Sequence, residues 1–235
     1  MASYNCYNST NNIMHPNTVI GCSYNLNIFL VRHGETEWNS LGRFQGQVDV
    51  NLNPTGLAQS LDIAKASFTW NLSAIYTSPL IRTTQIADEI GRQIGLPVIA
   101  DSRLMELSLG ELEGITGQDM RNNWAEVYAN WRTDPGYTIL PGGESLSELQ
   151  ERGWEFFLEK ETQHQNDPAI LFVSHNFTIR CIISHLLGIP WSHFHMTHLD
   201  LGSVSIIETD GNTRKLKGYN STSHLSNQNR SETRG

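Results

Sequence analysis

The sequence of 235 residues is poor in charge, because only 17% of its side chains are Asp, Glu, Lys or Arg, and its net charge is −8 at pH 7. A negative chain has no general electrostatic attraction for nucleic acid or for an anionic membrane, so neither is expected as a partner. An anionic substrate would need a local group of cations. Hydrophobic residues make up 38% of the chain, which is sufficient for a folded core.

The features of export and of membrane insertion are also missing. No run of about 18 apolar residues occurs, which excludes a membrane-spanning helix. The N-terminus has neither the positive segment nor the apolar segment of a secretory signal. Cys6, Cys22 and Cys181 are odd in number and far apart, so they form neither a disulfide framework nor a zinc motif. We therefore expect free thiols in a cytoplasmic protein.

The two ends of the chain differ in composition from the middle. No charged residue stands before Arg32, and this stretch holds seven asparagines. We expect residues 1–26 to be an irregular Asn-rich extension. Residues 211–235 carry five basic side chains and one acidic side chain. Residues 221–235 are therefore expected to form a polar basic tail, either solvated or folded as a flap over an anionic ligand, and 27–220 to form the domain.

Between these ends, short apolar runs alternate with helical patterns. Nearly continuous apolar runs are typical of parallel strands buried on both faces, and they occur at Asn27–Val31, Ala74–Thr77 and Ala169–Val173. Helical patterns cover about 54–69, 80–94, 117–131 and 145–164, and another follows His175. A closing hairpin is predicted from Ser203–Glu208 and Lys215–Tyr219. Together they predict an α/β fold with three α/β/α layers and a mostly parallel central sheet.

Polar residues follow three of the predicted strands. They are Arg32-His33, Ser78 and Ser174-His175. Ligands of open α/β sheets bind at the carboxyl ends of the strands. The chain therefore delivers two histidines and an arginine to one edge of the sheet.

These residue types suit phosphoryl transfer. An imidazole with a pKa of about 6.5 is largely neutral at pH 7 and can attack phosphorus. The transferred group spreads negative charge over three oxygens, which arginines such as Arg32 and Arg82 can hold. The leaving alkoxide needs a proton, which Glu106 could supply. No metal or other cofactor is required, and Gly34 would let the backbone approach the phosphate.

Several segments, taken in chain order, resemble the histidine phosphatase (phosphoglycerate mutase-like) superfamily. They are Arg32-His33-Gly34-Glu35-Thr36 with Asn39, Leu52–Gln59, Ser78–Thr83, Met105–Gly114, Pro141–Ser145 and Val173-Ser174-His175. The resemblance implies a phosphoglycerate mutase-like fold, with His33 as the phosphorylated nucleophile and Glu106 as the proton donor. Nearby Glu111 and Glu113 are competitors for the donor role.

The resemblance further implies a phosphate pocket made by Arg32, Arg82 and His175, assisted by Asn39. We also expect Gln45, Gly46 and Asn176 to bind the substrate. Family members often carry small, glycine-like residues after the second histidine, whereas this chain has Asn176-Phe177, which changes the pocket wall.

The resulting prediction is a metal-independent phosphatase that acts on a small phosphorylated metabolite through a phosphohistidine. Phosphoserine is favoured over sugar phosphates, phosphoglycerate and α-ribazole phosphate. The alternatives are a cofactor-dependent phosphoglycerate mutase and a non-catalytic binder of phosphorylated ligands. Between Glu106 and His175, twelve acidic residues outnumber four cations, which should repel a second phosphate and disfavours the mutase. The sequence leaves open whether the chain forms a homodimer.

His193, His195 and His198 are of metal-ligating type, but their spacing fits neither one helical face nor a known zinc pattern. No metal site is predicted. These histidines could instead line the substrate pocket or lie at the surface.

Overall fold

A six-stranded sheet runs through residues 25–230, the part of the chain described by the computed structural model. Its spatial order is β3-β2-β4-β1-β5-β6. The first four strands in this order pair in parallel, and β5 and β6 add an antiparallel edge. The strands are β1 (Leu26–Arg32), β2 (Ala74–Thr77), β3 (Val98–Ala100), β4 (Ala169–Ser174), β5 (Val204–Thr209) and β6 (Arg214–Ser221). The predicted extension at 1–26 lies almost wholly outside the described residues, as do the last five residues of the tail.

Seven α-helices connect and cover the strands within the described residues. They are α1 (Glu37–Ser40), α2 (Pro54–Ser67), α3 (Ile81–Ile94), α4 (Gly117–Asn123), α5 (Ala125–Thr133), α6 (Leu146–Gln163) and α7 (Asn176–Leu187). The helix predicted over 117–131 is in fact two helices, because Trp124 has a non-helical backbone with φ −130° and ψ 42°. The short strand β3 was not predicted, since two of its three residues are exposed and only one partner pairs with it.

Side chains of the sheet alternate between two cores, as its pleat requires. Ile170 and Phe172 of β4 face the core formed with α6 and α7, where Phe156 and Ile182 are fully buried. Leu171 lies in the other core, which α2 and α3 close. The predicted three-layer α/β/α fold with a mostly parallel sheet is confirmed.

A third apolar cluster lies away from the sheet's two faces. It contains Leu107, Leu109, Met120 and Leu149, together with Phe194, which belongs to a 3₁₀ segment after α7. Residues of α4, α5 and the loop after Glu106 thus form an apolar core that is separate from the two cores on the faces of the sheet. Among residues 25–230, none of the helices has the length and the apolar character that spanning a membrane requires.

The described part of the C-terminal tail packs against α2. The Asp62 carboxylate accepts hydrogen bonds from the Ser226 backbone N–H at 2.9 Å, from its hydroxyl at 3.0 Å and from Asn229 Nδ2 at 2.8 Å. Leu225 is buried in the core on that side. The segment up to residue 230 therefore belongs to the folded domain, and it does not line the catalytic cavity described below.

Candidate active site

The carboxyl ends of β1 and β4 bring two histidines side by side. Arg32 is in register with Ser174, and the next backbone hydrogen bond runs from His33 N to the Ser174 carbonyl at 3.0 Å. The imidazole rings of His33 and His175 have centroids 5.2 Å apart. Parallel pairing in this register therefore places both side chains at one edge of the sheet, as the strand ends predicted.

A cavity of about 210 Å³ opens at this edge. Eight of the nine residues that the sequence singled out line it: Arg32, His33, Asn39, Gln45, Gly46, Arg82, Glu106 and Asn176. The ninth, His175, is fully buried, and its ring lies edge-on to that of His33. The structure thus brings together residues that are up to 144 positions apart in the chain (176 − 32).

His33 is held in one tautomer. Its Nδ1 lies 2.7 Å from the Gly34 carbonyl oxygen, which can only accept a hydrogen bond, so Nδ1 carries the proton. The lone pair is then on Nε2. Burial, with the charges of Arg82 and Arg32, lowers the pKa of His33 well below its usual value. The ring is therefore neutral at pH 7, as a nucleophile must be.

His175 is oriented by Ser78, the polar residue at the end of β2. The Ser78 hydroxyl accepts from the Leu80 backbone N–H at 3.3 Å, and its oxygen lies 2.8 Å from His175 Nε2. The hydroxyl hydrogen can thus be donated to Nε2, which leaves the proton of the neutral ring on Nδ1. That Nδ1 is buried and has no hydrogen-bond partner among residues 25–230. Burial, followed by the charge of Arg82, lowers the pKa of His175 well below its usual value.

Arg32 and Arg82 are held by backbone carbonyls rather than by carboxylates. Arg82 donates to the Val48 and Gly46 carbonyls at 2.8 and 2.7 Å, and Arg32 donates to the Leu199 carbonyl. Burial lowers the pKa of each guanidinium to about 10. Each buried Nε lacks a partner in the described chain. One buried and one half-buried cation, each with a buried Nε donor that has no partner in the described chain, form a site for an anion.

Glu106 is buried and its carboxyl group is held by two backbone donors. Oε1 accepts from Leu107 N at 2.9 Å and from Phe177 N at 3.1 Å. Burial raises the pKa of Glu106 in spite of these bonds and of the two nearby arginines. Its competitors do not line the cavity: Glu111 is exposed, and Glu113 accepts a hydrogen bond from Gln47 N at 2.7 Å.

The other residues predicted to bind the substrate, such as Asn39, Gln45 and Gly46, are held in different ways. Asn39 Oδ1 accepts from Thr36 N at 3.1 Å and from its hydroxyl at 2.9 Å, which fixes α1 beside the cavity. Gln45 has a buried Oε1 without a partner in the described residues, and the Gly46 carbonyl holds Arg82. Phe177, which follows Asn176, lines the cavity. This agrees with the prediction that Asn176-Phe177, in place of small residues, changes the pocket wall.

The structure gives a separate reason for a glycine at position 34. A Cβ on this residue would lie 2.9 Å from the Gly56 carbonyl oxygen and 2.9 Å from Gln59 Oε1. Gly34 does not line the cavity. A glycine is therefore needed for close packing of the nucleophile loop against α2, and its approach to a phosphate stays a prediction.

Some cavity walls were not predicted from the sequence. Arg43, Phe44 and Leu109 line the cavity. Arg43 and Phe44 directly precede the predicted pair Gln45-Gly46, which was the one available signal. Leu109 reaches the cavity through the fold of the loop after Glu106, so no local pattern marks it.

The three clustered histidines are exposed and lie apart from the catalytic pair. His193 is 3.0 Å from the Ser192 hydroxyl, and His198 Nε2 lies 3.1 Å from Asp200 Oδ1. His195 lines a second cavity beside the first. Within the described residues, no group of three or more His, Cys, Asp or Glu side chains is arranged to hold a metal ion.

Comparisons with known proteins identify relatives of this chain. A family model for the histidine phosphatase superfamily (branch 1) matches residues 28–222. Phosphoserine phosphatase 1 of Hydrogenobacter thermophilus is 33% identical over 198 residues, which cover 84% of this chain and 93% of the relative. A probable phosphoglycerate mutase of Escherichia coli is 35% identical over 191 residues, which cover 79% of this chain and 85% of that relative.

A solved structure gives the same picture at the level of the fold. Phosphoserine phosphatase from Entamoeba histolytica, in complex with 3-phosphoglyceric acid, matches with a TM-score of 0.77 and 28% identity. The match covers 86% of this chain and 100% of that one. With the family model spanning nearly all of the described residues, the chain belongs to the histidine phosphatase superfamily.

Proposed function

We propose that this protein is a phosphoric monoester hydrolase that transfers the phosphoryl group of a small metabolite to His33 and then to water. One observation carries the proposal. Three kinds of group line one cavity. They are a neutral imidazole whose Nε2 is free, two arginines that are held by backbone carbonyls, and a carboxyl group of raised pKa. These are the nucleophile, the charge stabilisers and the proton donor of phosphoryl transfer.

In the first half-reaction, Nε2 of His33 forms a bond to phosphorus while the ester P–O bond breaks. Arg32, Arg82 and His175 Nδ1 hold the three phosphoryl oxygens, using the buried donors that have no partner within the described chain. The leaving alkoxide takes the proton of the Glu106 carboxyl group. No step needs a metal ion, because the arginines supply the positive charge.

In the second half-reaction, water replaces the alkoxide. The Glu106 carboxylate accepts a proton from the water as its oxygen attacks phosphorus, and the bond from phosphorus to Nε2 breaks. Inorganic phosphate leaves, His33 is again neutral, and Glu106 is again protonated. Protons and electrons therefore balance over one turnover.

We propose phosphoserine as the first substrate to test. The relative in Hydrogenobacter thermophilus and the structural neighbour from Entamoeba histolytica are both named as phosphoserine phosphatases, and the latter was crystallised with 3-phosphoglyceric acid. Both ligands are small phosphomonoesters that carry a carboxylate. A mutase would use the same first half-reaction but would return the phosphoryl group to carbon-bound oxygen.

The test is a rapid-quench experiment with ³²P-labelled phosphoserine. We expect an alkali-stable, acid-labile phosphoenzyme and release of inorganic phosphate that exceeds any interconversion of 2- and 3-phosphoglycerate. His33→Ala should abolish both label and turnover, whereas His193→Ala, at an exposed histidine outside the cavity, should abolish neither. Mutase turnover above hydrolysis would identify a mutase. A folded wild type that is not labelled and that hydrolyses neither phosphoserine nor p-nitrophenyl phosphate would favour a non-catalytic binder.

A further inference from the structure

A second cavity, of about 410 Å³, adjoins the catalytic one. Phe177 lines both cavities, which therefore share a wall residue. The second cavity combines basic and aromatic side chains, which include Arg132, Arg180, His195, Trp131 and Trp191. It is thus placed to receive whatever a substrate carries beyond its phosphoryl group.

Arg180 is fixed in this wall by its neighbours. It follows Phe177 by three residues on α7, so both side chains lie on one face of the helix. Its Nη2 donates to the Phe194 carbonyl at 2.8 Å, and its Nε donates to Thr197 Oγ1 at 3.2 Å. The guanidinium stacks 4.1 Å from the Phe194 ring centroid. The edge of the planar guanidinium that carries Nε and Nη2 is therefore held, and Nη1 of Arg180 has no hydrogen-bond partner among the described residues.

The charge of this wall is not neutralised by carboxylates. Within residues 25–230, neither Arg180 nor Arg132 forms an ion pair, although Arg103, Arg152 and Arg214 do. Arg180 is close enough to the catalytic site for its charge to lower the pKa of Arg32. A partly buried guanidinium without an anion is costly, and an anionic ligand would offset that cost.

We propose that the second cavity binds a carboxylate on the leaving group of the substrate, with Arg180 as its main ligand and Arg132 as a second cation. The inference rests on the proposed function, since the phosphoryl group must occupy the first cavity. A guanidinium fork held along one edge suits the planar carboxylate. The residues between Glu106 and His175 that line this cavity are Trp131, Arg132 and Pro135, so the acidic surplus of that region does not lie in this wall.

The experiment compares O-phosphoserine with O-phosphoethanolamine, which lacks only the carboxylate. We expect wild-type kcat/KM to favour phosphoserine by about 10-fold or more, as a charge-assisted hydrogen bond would give. Arg180→Gln should reduce this ratio by about 10-fold, chiefly through the KM of phosphoserine, and Arg180→Lys should retain part of it. Arg132→Gln should reduce the ratio in the same direction, and because Arg132 is exposed its loss does not disturb packing.

Arg121→Gln is the matched control. It removes the same charge from an exposed residue that lines neither cavity, so the ratio should stay at the wild-type value. Equal losses on both substrates in Arg180→Gln, with no change in Arg132→Gln, would show a structural role and overturn the proposal. A ratio that responds to Arg43→Gln instead would place the carboxylate in the catalytic cavity and also overturn it.

Two further outcomes separate this inference from the proposed function. A wild type that hydrolyses p-nitrophenyl phosphate, phosphoserine and phosphoethanolamine, but the last two with equal kcat/KM, would remain a phosphatase and would have no carboxylate subsite. A folded wild type that hydrolyses none of the three would overturn the proposed function and, with it, this inference.

Discussion

Replacing Glu106 with Gln tests the proton donor with little change in shape. The Glu106 carboxyl group is buried, and its Oε1 accepts from Leu107 N and Phe177 N. The amide oxygen of a glutamine can accept the same two bonds, and the amide nitrogen can take the place of the second oxygen. Glu106→Gln therefore removes the acidic proton while the local contacts remain.

The size of the effect should depend on the leaving group. General acid catalysis contributes about 10²- to 10⁴-fold, so kcat for phosphoserine, whose alkoxide needs a proton, should fall by about that factor. For p-nitrophenyl phosphate, which releases a stable phenolate, formation of the phosphoenzyme should fall by less than about 10-fold. The difference between the two substrates isolates proton donation from substrate binding.

The same variant should change the pH profile. Burial raises the pKa of Glu106, so wild-type kcat/KM for phosphoserine should fall as pH rises through that pKa, because the proton is lost. A carboxyl group whose pKa is higher in the folded state stabilises the fold below its unfolded pKa, and this stability is lost as pH rises through the folded pKa. Glu106→Gln should therefore lack both the alkaline fall in kcat/KM and the matching fall in unfolding free energy.

The assay combines stopped-flow measurement of nitrophenolate, phosphate release from phosphoserine, and urea unfolding between pH 4 and pH 9. Glu111→Gln is the control, since Glu111 is exposed and does not line the cavity. An equal loss on both substrates in Glu106→Gln, or a large selective loss on phosphoserine in Glu111→Gln, would refute the assignment of the proton donor to Glu106.

Two other predictions follow from the site and its support. Excess chelator should leave the rate unchanged and vanadate should inhibit, because in the proposed mechanism arginines rather than a metal hold the transferred group; loss of activity in chelator that zinc or magnesium restores would contradict this. Gln59, fully buried, accepts from Glu35 N and donates to the Asn229 carbonyl, both at 2.8 Å. Gln59→Leu should lower the unfolding free energy by about 2 kcal/mol in urea, whereas Gln163→Leu, at an exposed position, should change it by less than about 0.5 kcal/mol.

Much of the fold could be predicted because its signals are local. The apolar runs of β1, β2 and β4 and the helical patterns of α2, α3 and α6 need no knowledge of distant residues. The split between α4 and α5 at Trp124 escaped prediction, because the third apolar cluster, in which Trp124 packs, depends on tertiary contacts.

The sequence signals that identify the candidate catalytic residues are also local. Arg32 ends β1, and His33 and His175 directly follow β1 and β4; parallel pairing of these adjacent strands places their ends together. Order along the chain thus suffices to predict that these residues share one edge of the sheet. It does not suffice to state which nitrogen of His33 is free, since that depends on the 2.7 Å contact with the Gly34 carbonyl.

The sequence by itself determined the alternation of strands and helices, the polar residues at the strand ends, and hence the chemistry available at one edge of the sheet. Only the tertiary structure decided the protonation of His33 and Glu106 and the second cavity beside Phe177. The physical reason is that a pKa depends on burial and on charges brought near in space. The wall containing Arg132 and Arg180 likewise forms only when α5, α7 and the segment after α7 pack together.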